Sequence, residues 1–134
     1  LAGCWVELDQ KGEPTEKETH VRLTAGDSDL VETLFPGSPH EMLSIYHLDK
    51  GALMLTHFCV LQNQPPMRVL PMKDKNVIDV EFSDGTNMAS TNDSHMHHAV
   101  FTVVDKYHYT VKWTNYENGE SAHTVVLDMA RASE

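Results

Sequence analysis

Apolar and polar residues alternate with period two along most of this chain. In Tyr107, Tyr109, Val111 and Trp113 the large residues share one face, while His108, Thr110, Lys112 and Thr114 share the other. Ile78, Val80 and Phe82 oppose Asp79, Glu81 and Ser83 in the same way. Such alternation marks antiparallel strands with one packed face and one wet face. Short runs rich in β-branched and aromatic residues predict strands at 3–8, 19–24, 29–35, 42–48, 52–61, 67–70, 77–82, 97–104, 107–114 and 123–129. Turn clusters separate them, among them Pro36-Gly37-Ser38-Pro39, Asp49-Lys50-Gly51, Ser83-Asp84-Gly85 and Glu117-Asn118-Gly119. Residues 52–61 are apolar on both faces, as in a strand covered on both sides or lining an apolar cavity. No helical period is present, and the polar stretch 86–94 reads as a long loop or a single helical turn. Many short strands at regular spacing predict an all-β sandwich or barrel. No repeat or linker divides the chain, so residues 1–134 form one domain.

Composition narrows the partners. Ten Lys and Arg against twenty Asp and Glu give a net charge of −10. A chain this acidic, with scattered cations, lacks the clustered positive patch that nucleic acid or an anionic membrane surface requires. No apolar run approaches the roughly 20 residues of a transmembrane helix. The partner expected instead is a small molecule. The two cysteines, Cys4 and Cys59, make no disulfide framework. Leu1-Ala2-Gly3-Cys4 reads in one of two ways: as the end of a bacterial lipoprotein signal, with Cys4 the lipidated residue, or as the opening of a first strand.

Two sets of residues carry a family resemblance. Gly3-Cys4-Trp5 on the first strand, with Arg131 near the other end of the chain, resembles the closure device of lipocalin-like (calycin) barrels. There a first-strand Trp plugs the barrel and a late Arg lies across it. A longer match runs through Leu30-Val31-Glu32-Thr33-Leu34-Phe35-Pro36-Gly37, His40-Glu41-Met42, Tyr46-His47-Leu48-Asp49, Thr56-His57-Phe58-Cys59, Asn63-Gln64-Pro65 and Met67-Arg68. It continues through Phe82, Thr86-Asn87, His95-Met96 and Trp113. Together these resemble an uncharacterised family of bacterial lipocalin-like proteins. Where that family usually shows Asn-Gln-Pro-Arg-Met, this chain has Pro66 before Met67 and Arg68 after it. The resemblance implies an antiparallel barrel of about eight to ten strands with an internal cavity. It also implies an exported location, periplasmic or extracellular, and no particular reaction.

Candidate chemistry follows from the histidines, of which there are nine. His95 and His97 stand two apart, the spacing that turns two imidazoles to one side of a strand and toward one metal ion. His57 and Cys59 form a second such pair, and the two pairs together offer four ligands. The stretch 46–68 is the stronger candidate for binding. A three-residue turn Asp49-Lys50-Gly51 would pair Leu48 with Ala52. Leu43, Ile45, His47, Leu53, Leu55, His57 and Cys59 then share one face, and Met42, Ser44, Tyr46, Met54, Thr56 and Phe58 the other. A two-residue turn mixes the sets. The candidate ligand contacts are Tyr46, His47, Leu53, Leu55, His57, Phe58, Cys59, Asn63, Gln64, Arg68 and Trp113. Leu53, Leu55, Phe58 and Trp113 supply apolar burial. Tyr46, His57, Asn63 and Gln64 orient the ligand, and Arg68 reaches for an acidic headgroup. Glu32, Glu41, Asp79 and Glu81 read as solvated strand faces. Non-enzymatic binding leads this reading. The alternatives are a His-dependent or metal-assisted enzyme through His57 with Tyr46, His95 and His97, and haem binding through one barrel His.

Overall fold

The computed structural model describes residues 1–132 and contains ten strands. These are β1 (Gly3–Leu8), β2 (Pro14–Thr24), β3 (Asp29–Leu34), β4 (Met42–Asp49), β5 (Ala52–Phe58), β6 (Pro66–Val69), β7 (Val77–Phe82), β8 (His95–Asp105), β9 (His108–Glu117) and β10 (Glu120–Arg131). Each strand pairs antiparallel with the next, and β10 returns to pair with β1, so the sheet closes into an up-and-down barrel. No helix among the described residues is long and apolar enough to cross a membrane. The stretch 86–94 is a loop of turns, tied by a bridge from Thr86 to Gln64.

Closure removes every exposed sheet edge and leaves an inner and an outer face. Period-two alternation sends Leu55, Met67, Val80, Phe101, Val111 and Leu127 into the core. In a meander, successive turns alternate between the barrel's two ends. The first end carries the β2–β3, β4–β5, β6–β7 and β8–β9 connections. The second carries the longer segments 35–41, 59–65 and 83–94.

The expected closure device is present. Trp5 is 1% exposed and donates its indole N–H to the Leu1 carbonyl at 2.8 Å. Its ring meets Tyr109 edge-on at 4.7 Å. The Arg131 guanidinium lies over it, 4.4 Å from the ring centroid. Arg131 is itself held, donating to the carbonyls of Ala2 at 2.7 Å and Lys106 at 3.1 Å. Gly3 makes this possible. Its φ of 131° is closed to most side chains, and a Cβ there would stand 2.4 Å from Arg131 Nη1. Gly3→Ala therefore strains the backbone and displaces an anchored guanidinium. A loss of about 2 kcal/mol in unfolding free energy is expected, read from urea denaturation.

The β4–β5 hairpin differs from the expected one. Its turn has two residues, Lys50 and Gly51, both with positive φ (49° and 83°), and Asp49 pairs with Ala52. That is the type I′ geometry whose twist matches the flanking strands. The register is therefore one residue away from the three-residue alternative, and the two expected faces mix. Ser44 now pairs with His57, Tyr46 with Leu55 and Leu48 with Leu53. Ser44, Tyr46, Leu55 and His57 share the inner face. Leu43, Ile45, His47, Met54, Thr56 and Phe58 share the outer one.

Candidate functional site

A string of polar side chains crosses the interior beside the hydrophobic core. Leu30, Glu32 and Leu34 alternate inward on β3, which carries Glu32 into the barrel at 4% exposure. This corrects the expectation of a solvated Glu32. Ser44, directly across the ladder from Glu32, hydrogen-bonds its carboxyl. Tyr46, the next inward residue on β4, donates its phenol to Glu32 Oε2 at 2.7 Å. Ser44 Oγ also lies 2.9 Å from Nδ1 of His57 on β5. The four residues thus make one continuous chain, Tyr46, Glu32, Ser44 and His57.

Burial shapes their protonation. No Lys, Arg or His forms an ion pair with Glu32 among the described residues. Desolvation raises its carboxyl, against the lowering hydrogen bonds from Tyr46 and Ser44. Burial, reinforced by the nearby Glu32, raises the phenols of Tyr46 and Tyr109. Burial lowers His57 to about 4, so its imidazole is neutral at physiological pH.

Two apolar cavities flank this string. At the first end a cavity of about 210 Å³ is walled by Leu30, Tyr46, Leu53, Leu55, Ile78 and Phe101, with His47 and Leu48 at its edge. At the second end another of about 210 Å³ is walled by Leu34, Met42, His57, Met96, Trp113 and Leu127. A hollow of about 240 Å³ adjoins it, sharing Met42, Met96 and Trp113 and adding Cys59, Asn115 and His123. The His57 ring is tilted against Trp113, with centroids 4.9 Å apart. Among the described residues no hydrogen bond engages His57 Nε2, the ring nitrogen left over from Ser44.

The expected ligand contacts are therefore divided. Tyr46, His47, Leu53 and Leu55 lie at the first-end cavity, His57 and Trp113 at the second, and Cys59 in the adjoining hollow. Phe58 and Arg68 face outward; Phe58 is 41% exposed, and Arg68 pairs across the ladder with Glu81. Asn63 is buried and donates to the Ser94 carbonyl at 2.8 Å, and Gln64 accepts from Thr86 Oγ1 at 2.6 Å. Both tie the segments 59–65 and 83–94 together. Met42, Ser44, Glu32 and Met96 are among the wall and string residues that sequence reasoning did not choose.

The four-ligand metal arrangement does not form, and no three His, Cys, Asp or Glu converge as ligands among the described residues. His95 Nε2 and His97 Nδ1 lie 2.9 Å apart, hydrogen-bonded to each other, while His95 Nδ1 reaches the Asp93 carbonyl at 2.7 Å. His97 stacks on Tyr116 at 3.8 Å. Neither lines the cavity that His57 lines. Burial first, then the neighbouring His95, lowers His97. The Cys59 thiol meets Met42 Sδ at 4.0 Å, and burial raises it, the reverse of what a nucleophilic thiolate needs. Ser44 is fully buried and bonded on both sides, so its hydroxyl meets no substrate.

Comparison with known proteins finds no matching family model, no matching curated protein and no matching solved structure.

Proposed function

We propose that this barrel binds a small, largely apolar molecule in its second-end cavity without transforming it, as an exported member of the bacterial lipocalin-like family. The observation that carries this reading is the wall itself. An apolar hollow is closed by Trp113 and two methionines and broken by one imidazole whose Nε2 is unengaged. Apolar lining with one placed polar group is the usual composition of a small-molecule site. Size sets the class of ligand. A dry cavity of about 150 Å³ accepts benzene, and drug-sized ligands occupy about 300–1,000 Å³. At about 210 Å³ the site suits one ring or a short chain and is small for haem.

Titration with a panel of single-ring and short-chain molecules, read by tryptophan fluorescence, tests this directly. Saturable quenching is expected, because Trp113 forms part of the wall. Val125 stands at the mouth, 47% exposed, and touches both the cavity and its adjoining hollow. Val125→Phe should fill the entrance and weaken binding at least tenfold while the far-ultraviolet circular dichroism stays unchanged. An absence of saturation across the panel, or full binding by Val125→Phe, overturns the reading.

A further inference from the structure

The hydrogen-bonded string behind the cavity has a direction, and that direction decides what His57 offers a ligand. Ser44 carries one hydroxyl proton and sits between Glu32 and His57 Nδ1. If Ser44 donates to Glu32, then His57 must donate from Nδ1, and Nε2 faces the cavity as a bare acceptor. If Glu32 donates to Ser44, Ser44 donates to Nδ1 and the imidazole proton stands on Nε2. The choice rests on whether Glu32 is protonated.

Geometry favours the acid. Glu32 is buried in a barrel interior that gives it no cation, and an isolated buried carboxylate neutralises itself rather than bear the desolvation cost. Tyr46 already donates to Oε2. A proton on the carboxyl has the Ser44 hydroxyl as its partner. The titratable groups facing Glu32 are Tyr46 on β4, Tyr109 across the barrel on β9, and His57 on β5 through Ser44. From β2 it meets Val21 across the ladder. The tyrosines are held neutral by burial, and none of these groups supplies a compensating positive charge.

We infer that a proton held on Glu32 runs the string as donor to acceptor from Glu32 through Ser44 to His57, so that Nε2–H points into the cavity and selects a neutral ligand carrying a carbonyl-type acceptor. The inference rests on the binding function proposed above and adds the ligand's chemistry to it. It also makes selectivity pH-dependent. As Glu32 ionises at higher pH, Ser44 turns to donate to the carboxylate, Nδ1 takes the imidazole proton, and Nε2 becomes an acceptor. The site then prefers a hydroxyl donor such as phenol.

Two measurements test this independently. Nitrogen-15 shifts of the His57 ring report its tautomer without any ligand: Nε2–H is expected at neutral pH in the natural protein and in Glu32→Gln. The carboxamide of Glu32→Gln mimics the protonated acid, since its NH2 donates to Ser44 and its oxygen accepts from Tyr46. The second measurement compares cyclohexanone with methylenecyclohexane, which has the same shape and no acceptor. Cyclohexanone should bind about three- to tenfold more tightly, the worth of one buried hydrogen bond. Glu32→Gln keeps that ratio and loses its pH dependence. Ser44→Ala cuts the link to Glu32, so the ratio loses its pH dependence while methylenecyclohexane still binds. An Nδ1–H tautomer at neutral pH, equal binding of the two probes, or loss of the ratio in Glu32→Gln overturns the inference. Failure of both probes and of phenol to bind counts against the binding function, and the tautomer then judges the string by itself.

Discussion

Trp5→Ala will lower the unfolding free energy by about 3–5 kcal/mol, the range for truncating a large buried aromatic. That is a large part of the 5–15 kcal/mol that holds a domain of ordinary stability. The corresponding fall in Tm is roughly 10–20 °C. The loss has three sources. The ring is 1% exposed, so its removal leaves a void in the core. Its edge-on contact with Tyr109 goes with it. Arg131 loses the surface it lies on and keeps only its two carbonyl partners. Urea denaturation of Trp5→Ala, Arg131→Ala and the double variant separates these sources. Residues in direct contact couple, so the double variant should lose about 0.5–2 kcal/mol less than the sum of the singles. A loss below about 1 kcal/mol for Trp5→Ala means the indole is not the plug.

The acid response of the barrel should change when Glu32 is replaced by a group that cannot titrate. His57 has a folded value of about 4 against an ordinary 6.5. As pH falls from 6.5 toward 4 the unfolded chain takes up this proton and the folded chain does not. His57 therefore contributes stability that is whole above pH 6.5 and is lost as pH falls toward 4, on the order of 3 kcal/mol in all. Glu32 acts in the opposite sense. Its folded value lies above the ordinary 4.5, so its contribution is whole below pH 4.5 and is lost as pH rises. Between pH 4.5 and 6.5 the unfolded chain gains a proton at His57, and wherever the folded Glu32 keeps its proton the opposite slope offsets that gain. Glu32→Gln removes only that opposite slope. Its unfolding free energy should therefore fall more steeply than that of the natural protein as pH drops from 7 to 4.5, by the amount that protonation of the folded Glu32 had offset. Parallel curves for the two proteins would show that His57 and Glu32 do not share this compensation.

The strands were legible because their signal is local, while the choice of a barrel over a sandwich came from the family resemblance. Alternation such as Tyr109, Val111 and Trp113 needs only neighbouring residues, and the Gly3, Trp5 and Arg131 set carries its own stereochemical logic. The hairpin register was not legible to that level. Lys50 gives no sign that it adopts positive φ, and a single added turn residue inverts which side chains face inward. Glu32 shows a different limit. Its alignment with Leu30 and Leu34 pointed inward, yet its charge argued for solvent. The partners that make its burial tolerable stand on β4, where only the register places Ser44 and Tyr46 beside it. The four-ligand set of two histidine-bearing pairs does not converge for a third reason. Spacing by two does bring the His95 and His97 rings together, but they bond each other and His97 stacks on Tyr116, while His57 lies at a cavity that neither of them lines. Local period predicts strands, but cross-barrel chemistry depends on contacts between residues far apart in sequence.

The seam between β1 and β10 has a consequence for how this molecule is made. Arg131 and Ala2 meet across 129 positions of chain. Contacts of such range slow folding, because the chain must be brought together before they form. During folding β1 and β9 remain bare borders until β10 pairs with both of them. Throughout that interval their unpaired backbone groups are open to strands of other folding chains. Docking of β10 between β9 and β1 thus completes the ring, and the folding chain is most prone to aggregate just before that strand docks.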